Sequence, residues 1–141
     1  MSSVRILRGL PGSGKTYYAD RQNAYVCSAD SYFLVNGTYK FDVTKLKEAH
    51  NQCFSSFMEK ILDESRPIIV DNTNINAWEI APYYRVAEYM KRDVEIITFW
   101  CSVEQSITRN THCVPASTII RMYADLINNQ LPTQWKHRVL K

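Results

Sequence analysis

Residues 8–18 read RGLPGSGKTYY and contain a glycine-rich loop of a type that binds phosphate groups. Residues 9–16 fit the pattern G-x-x-x-x-G-K-[ST]. Glycines let successive backbone N–H groups converge on phosphate oxygens without clashes from Cβ atoms. The loop therefore predicts binding of a nucleoside triphosphate. We expect the contacts to come from its own residues: Gly9, Pro11, Gly12, Ser13, Gly14, Lys15 and Thr16.

Two side chains at the end of this loop, and one farther along the chain, have predicted roles at the phosphates. Lys15 should reach the β- and γ-phosphates of ATP, and the Thr16 hydroxyl should ligate Mg²⁺. Asp71 follows the apolar run PIIV as a Walker B aspartate would. It is predicted to hold Mg²⁺, directly or through water, or to orient Thr16. Residues 72–74 are expected to brace the loop.

A carboxylate just past the second predicted strand is a candidate for activating an acceptor hydroxyl. Asp30 in CSADSYF should lie across the cleft from the γ-phosphate. An acceptor hydroxyl needs a base or an orienting group within about 3 Å, and aspartate suits that role. An aspartate that caps a helix or stabilises a turn is an equally good interpretation of the residue type.

A lid is predicted at residues 101–118. Arg109 ends one predicted helix, and Val114-Pro115 begins the next, where proline is favoured. The short loop between them should bring Arg109 and His112 to face the phosphates. An arginine there can neutralise charge on the transferred group. The alternative is a surface arginine stabilised by the helix dipole.

The predicted elements place these residues along one edge of a sheet. Short apolar runs alternate with helical patterns, which predicts an α/β fold with a mostly parallel sheet of about four strands and helices on both faces. Sites in such sheets lie at the carboxyl ends of the strands, and the glycine loop, Asp30 and Asp71 all follow strands. The predicted strands are 4–7, 25–29, 67–71 and 94–100, and the predicted helices are 14–22, one beginning at Thr44, 77–89, 103–109 and 116–128.

Composition sets the broad class of the protein. The 141 residues, 45% hydrophobic and 22% charged, predict a single globular domain over residues 1–141. A net charge of +3 is neither evidence for nor evidence against binding to nucleic acid. The basic end WKHRVLK is interpreted as a solvated tail. The four cysteines lack zinc spacing, and those in strand-like runs are expected to be buried. Without a signal segment or a membrane span, we expect a soluble cytoplasmic protein.

Several blocks of sequence, taken in order, resemble one branch of the P-loop kinases. GLPGSGKT, SADSYF, YKFD, LKEAHNQC, IVDNTN, a tryptophan with APYY, and RNTHCVP cover roughly residues 4–126. Together they are similar to the polynucleotide 5′-hydroxyl kinase-like family. That family includes the kinase half of phage-type polynucleotide kinase and AAA-type ATP-binding proteins that are polynucleotide-kinase-like.

The resemblance implies a P-loop fold with a helical lid and transfer of the ATP γ-phosphate to a 5′-hydroxyl of DNA or RNA, with Mg²⁺, as in nucleic-acid repair. It implies that Asp30 is the general base and that Lys15 and Thr16 are the Walker A pair. Arg109 matches a lid arginine that contacts phosphates, and Asp71 opens a D-x-T-N-like block.

The chain departs from the phage-type pattern on the acceptor side. Phe33 stands where that enzyme has an arginine that grips the acceptor, and the lid loop is trimmed to residues 110–113. Tyr32 or Phe33 could stack on a base or pack beneath the cleft. Three hypotheses stay open: a polynucleotide kinase, a kinase for a nucleoside, nucleotide or sugar, and a nucleotide-binding interaction module with little turnover.

Overall fold

The computed structural model describes residues 3–141, so the first two residues of the predicted domain lie outside the described range. In chain order the strands are β1 (Ser3–Arg8), β2 (Tyr25–Cys27), β3 (Leu34–Val35), β4 (Thr38–Tyr39), β5 (Ile68–Asp71), β6 (Asp93–Phe99) and β7 (His137–Leu140). The α-helices are α1 (Lys15–Asp20), α2 (Leu46–Lys60), α3 (Ala77–Tyr89), α4 (Val103–Arg109) and α5 (Ala116–Asn128). Two 3-10 helices span Ala29–Phe33 and Val43–Lys45.

The main sheet has five parallel strands in the order β2-β5-β1-β6-β7. The central strand β1 pairs with β5 on one side, where Leu7 lies opposite Asp71, and with β6 on the other. Because all strands run the same way, the ends of β1, β2 and β5 meet at one edge. The predicted mostly parallel P-loop sheet is confirmed, with five strands rather than about four.

The basic end is exposed to solvent, as predicted, but most of it is an edge strand of the sheet and not a free tail. β7 pairs with β6 in parallel, so that His137 lies opposite Ile96 and Leu140 opposite Phe99. His137 Nε2 lies 2.6 Å from Thr98 Oγ1, and Arg138 donates to Glu95 at 3.3 Å. These basic side chains are compatible with a strand because β7 lies at the edge of the sheet, where charge also discourages pairing with other chains.

Helices cover both faces of the sheet, as predicted. On one face, Ile6 belongs to an apolar cluster that includes Phe57 of α2 and Tyr84 of α3. On the other face, Leu7 packs with Ala19 of α1. Adjacent residues of β1 thus point to opposite faces, which is the period of two expected for a strand buried on both sides.

The segment after β2 contains a second, two-stranded sheet formed by β3 and β4. Leu34 and Val35 pair with Tyr39 and Thr38 in a short antiparallel hairpin. Asn36 and Gly37 form its turn with φ angles of 51° and 79°, the left-handed conformations that a two-residue hairpin turn requires.

The helix predicted from Thr44 begins at Leu46, after a 3-10 turn. The Asp42 carboxylate accepts a hydrogen bond from the Thr44 backbone N–H at 3.0 Å, so Asp42 is the capping residue of this turn. Cys27 and Cys101, predicted to be buried, are 2% and 5% exposed. Over residues 3–141, no helix is both long and apolar enough to cross a bilayer.

Candidate nucleotide and acceptor site

The P-loop (residues 9–16) joins the end of β1 to the start of α1. The Gly9 N–H donates to the Thr73 carbonyl at 2.9 Å, which ties the loop to the segment after β5. The Leu10 side chain is fully buried, and its carbonyl accepts from the Ser13 N–H at 3.2 Å. Gly14 has a φ of 106°, so the chain turns through a left-handed residue directly before the helix. The loop is therefore anchored at both ends while its central N–H groups border the cleft.

Gly12 of the P-loop packs closely against the end of α4 in the lid. Its φ is 74°, and a Cβ atom at this position would lie 2.8 Å from the Arg109 Cβ. At Gly37 in the hairpin turn, φ is 79°, but nothing lies within 4 Å of such an atom. The two glycines share the backbone constraint and differ in available space.

We therefore expect Gly12→Ala to be clearly more destabilising than Gly37→Ala. The left-handed backbone alone costs about 1–2 kcal/mol for alanine at either position. The clash with Arg109 should bring the Gly12→Ala loss to about 2–4 kcal/mol. Urea unfolding of both variants measures the difference, and equal losses would show that α4 yields freely at this contact.

Lys15 is almost fully buried and folds back onto its own loop. Its Nζ donates to the carbonyls of Gly9 and Leu10 at 3.0 and 2.8 Å. Burial lowers the pKa of Lys15 to about 8, although Asp71 acts in the opposite direction. The groups around the buried Lys15 ammonium thus only partly compensate its positive charge. Anionic phosphates bound beside it would stabilise the charged form.

Thr16 and Asp71 form a direct pair beside Lys15. The Thr16 Oγ1 donates to Asp71 Oδ2 at 2.9 Å. Asp71 is 8% exposed, and burial raises the pKa of its carboxyl while Lys15 and Thr16 lower it. A hydroxyl and a carboxylate are oxygen donors of the kind that Mg²⁺ prefers, so the pair fits that ion. Within residues 3–141, no group of three or more His, Cys, Asp or Glu side chains could hold a metal by itself.

The segment after β5 braces the loop, as predicted. The Asn72 Oδ1 accepts from the Ala29 N–H at 2.9 Å, and the Asn74 Nδ2 donates to the Leu7 carbonyl at 2.8 Å. Together with the Thr73 carbonyl, these bonds link the ends of β1, β2 and β5. The turn that carries Asp30 is therefore fixed relative to the P-loop.

Asp30 lies in the 3-10 helix that follows β2, with both carboxylate oxygens engaged. The Tyr39 hydroxyl donates to Oδ1 at 3.2 Å, and His112 Nδ1 lies 3.4 Å from Oδ2. The Asp30 side chain is still 54% exposed. Burial is the main cause that lowers the pKa of Lys15 and raises that of Asp71, and the negative charge of Asp30 is a smaller influence that raises both. Asp30 therefore faces the same cleft as the P-loop lysine.

The lid helices rest directly on the P-loop. The Ser106 Oγ donates to the Pro11 carbonyl at 2.6 Å, and Leu10 packs in an apolar cluster with Cys101 and Ile119. Arg109 is exposed at the end of α4, with its Cβ next to Gly12. The structure thus brings Thr16 against Asp71 beside Lys15 and places the Cβ of Arg109 at Gly12, whereas His112 contacts Asp30.

On the acceptor side, the second interpretation holds for Phe33 and neither holds for Tyr32. Phe33 is 3% exposed and packs in the main apolar cluster, so it lies beneath the cleft. The Tyr32 hydroxyl bonds to Glu48 on α2 instead of facing the cleft. Tyr39 is the residue that sequence reasoning missed. Its only signal was the adjacent Asn-Gly turn, which brings β4 back over Asp30.

A second cleft opens beside the P-loop, between α1 and the ends of β6 and β7. It has a volume of about 320 Å³ and is lined in part by Ser13, Gly14, Tyr17, Arg21, Trp100 and Leu140. The segment 131–135 lies away from this cleft. Its Trp135 stacks on Tyr84 at 4.9 Å between ring centroids, on the α3 side of the sheet.

Known proteins match this chain at the levels of both sequence and fold. A family model described as an AAA domain matches residues 4–114. Human NEDD4-binding protein 2 is 41% identical over 130 residues, a match that covers 83% of this chain and 7% of that protein. The chain therefore spans only a small part of this curated relative.

Solved structures with low sequence identity share the fold. A gluconokinase from Sinorhizobium meliloti 1021 matches with a TM-score of 0.62 at 14% identity, covering 99% of this chain and 81% of that chain. A chain from the Pnkp1/Rnl/Hen1 RNA repair complex matches with a TM-score of 0.72 at 19% identity, covering 89% and 44% of the two chains. The fold is thus P-loop kinase-like.

Proposed function

Because the chain belongs to the AAA domain family and has a P-loop kinase-like fold, we propose that it is an ATP-dependent kinase for 5′-hydroxyl ends of DNA or RNA. The observation that carries this proposal is the position of Asp30. It follows Ala29, whose N–H bonds to Asn72 directly after Asp71, and its exposed carboxylate lies 3.4 Å from His112 of the lid loop. A nucleotide-binding interaction module has no need for an exposed carboxylate at that place.

The arrangement accounts for each part of a phosphoryl transfer. Asp30 accepts the proton of the acceptor hydroxyl as the acceptor oxygen bonds to the γ-phosphorus of ATP. The bond from the γ-phosphorus to the β–γ bridging oxygen breaks, and its electron pair leaves with ADP. Lys15 and the P-loop N–H groups stabilise the phosphate oxygens, and Arg109 at the lid is placed to neutralise added charge.

Thr16 and Asp71 would hold Mg²⁺ together with phosphate oxygens and water. When bound, the ion neutralises charge on the β- and γ-phosphates. The Thr16–Asp71 hydrogen bond at 2.9 Å keeps the hydroxyl beside the carboxylate before any ligand arrives. The 320 Å³ cleft next to Ser13 and Gly14 is suited to the base of ATP, because Tyr17 and Trp100 provide aromatic walls.

A kinase for a small acceptor is the second candidate. Phe33 is buried beneath the cleft, and within residues 3–141 the side chains that contact the Asp30 carboxylate are Tyr39 and His112. A phosphate-gripping arginine is thus not among the contacts of Asp30. The gluconokinase with the same fold acts on an acceptor of that small kind, as its name states.

A labelling assay distinguishes the two candidates. The protein is incubated with γ-labelled ATP, Mg²⁺ and either a 5′-hydroxyl oligonucleotide or its 5′-phosphorylated twin. We expect label on the hydroxyl end alone. We also expect oligonucleotide binding to weaken steeply between 50 and 200 mM salt, because phosphate contacts release counterions. Nucleotide binding without label on either oligonucleotide would overturn the polynucleotide acceptor and favour a small one.

A further inference from the structure

Two rings from distant parts of the chain meet over the Asp30 carboxylate. Tyr39 belongs to β4, and His112 belongs to the lid loop between α4 and α5. Their ring centroids are 4.1 Å apart and their planes differ by 12°. Each ring also contacts one carboxylate oxygen of Asp30. The stack and the carboxylate therefore form one unit at the mouth of the cleft.

A third ring extends this stack along the surface. The Phe41 ring is nearly parallel to that of Tyr39, at 10° and with 6.4 Å between centroids. Phe33 lies edge-on beneath both rings, 6.2 Å from Tyr39 and 5.0 Å from Phe41, and supports them from the core. Phe41 is 49% exposed and the His112 side chain 40% exposed. Flat aromatic surface is thus open to ligands directly beside Asp30.

This surface suits a planar ligand better than an anionic one. Tyr39 is stacked behind His112, so the exposed π-faces are those of His112 and Phe41, and every nucleobase has a π-face that stacks on aromatic side chains. A base stacked on the exposed face of His112 would leave the hydroxyl of its own nucleotide close to Asp30. That hydroxyl can take the place of His112 Nδ1 at Oδ2, where the present distance of 3.4 Å is long for a hydrogen bond.

We propose that His112, backed by Tyr39, positions the acceptor by stacking on the base of its terminal nucleotide, so that the hydroxyl of that nucleotide reaches Asp30. The inference rests on the proposed kinase function and makes it more specific. The recognised group is a nucleobase, and a sugar without a base would be a poor acceptor.

The test compares two oligonucleotide acceptors that differ only in the terminal base. Both carry a 5′-hydroxyl, but in one the terminal nucleotide is abasic. For the unmodified protein we expect KM to be about tenfold or more higher for the abasic end, with a smaller change in kcat, since stacking contributes mainly to binding. His112→Ala should raise KM for the normal end and remove the difference between the ends.

Two further variants separate stacking from other roles of the histidine. His112→Phe retains a ring without Nδ1 and should restore the discrimination between the two ends. His50→Ala, which removes an exposed histidine of α2, is the matched control and should behave like the unmodified protein.

The outcomes distinguish failure of this inference from failure of the proposed function. If both ends are labelled with equal KM by the unmodified protein, the kinase function stands and the stacking contact is wrong. His112→Ala could instead lower kcat while the difference in KM between the normal and the abasic end remains. In that case His112 acts only through Asp30, and the inference is wrong. If no oligonucleotide is labelled, the proposed function and the inference fall together.

Discussion

Asp30→Asn should lower kcat for transfer to a 5′-hydroxyl oligonucleotide by about 10²- to 10⁴-fold. Asparagine has the shape of aspartate and can still accept the hydrogen bond from Tyr39, which is 3.2 Å in the native protein. It cannot take the proton of the acceptor hydroxyl. ATP affinity should stay within a few-fold, because Asp30 lies across the cleft from the P-loop. Steady-state kinetics and a nucleotide-binding titration measure the two effects separately.

Asp93→Asn is the matched control for this variant. Asp93 begins β6, at the opposite end of the sheet from the P-loop, and its carboxylate pairs with Lys136 at 3.5 Å while 67% exposed. Such an exposed pair contributes little, so activity and stability should be unchanged. If Asp30→Asn keeps more than a tenth of the native kcat, Asp30 only stabilises its turn.

Lys15→Met should reduce the rate of transfer by about 10²- to 10³-fold, because it removes a positive charge aimed at the transferred phosphate. The folded state should tolerate the change. Methionine leaves the Gly9 and Leu10 carbonyls without their donor, but it also removes an ammonium whose burial lowers its pKa. We therefore expect a small shift in melting temperature beside a large loss of activity. A large fall in melting temperature would show that Lys15 mainly stabilises the loop.

The pH dependence of ATP binding gives a second readout for Lys15. In the ligand-free protein its pKa is lowered to about 8, whereas phosphates next to the ammonium must raise it. Above about pH 8 the lysine takes up a proton when ATP binds, so affinity should fall by up to tenfold per pH unit. The ligand-free fold should gain stability over the same range, because the unfolded chain binds more protons there. Lys15→Met should show neither trend.

The places of the P-loop, Asp30 and Asp71 in the fold could be predicted from the sequence because each comes at or just after the end of an apolar strand. Runs such as PIIV and VRIL become strands buried on both faces, and parallel pairing then brings their ends together. The glycine loop can be identified from the sequence alone, because the spacing of its glycines and lysine already reflects the shape of a phosphate group.

Contacts between distant segments could not be predicted in this way. β7 is short and half polar, and it is a strand only because the edge of β6 is free to pair with it. The stack of Tyr39 on His112 joins the hairpin to the lid loop. The sequence of neither segment indicates that it will contact the other. The hairpin itself had a signal in Asn36-Gly37, but its two-residue strands are too short to show alternation.

The apolar cluster that fixes the lid to the P-loop determines which parts of the site can move quickly. Leu10, Cys101 and Ile119 are all buried in that cluster, and Ser106 bonds to Pro11, so α4 and α5 cannot swing without breaking packed contacts. We therefore expect motion of the lid to be confined to the short loop between α4 and α5 that contains His112. Short loops relax in nanoseconds to microseconds, whereas closure of whole domains takes microseconds to milliseconds. We therefore expect opening and closing of this site to be much faster than turnover, leaving chemistry or product dissociation as the slow step.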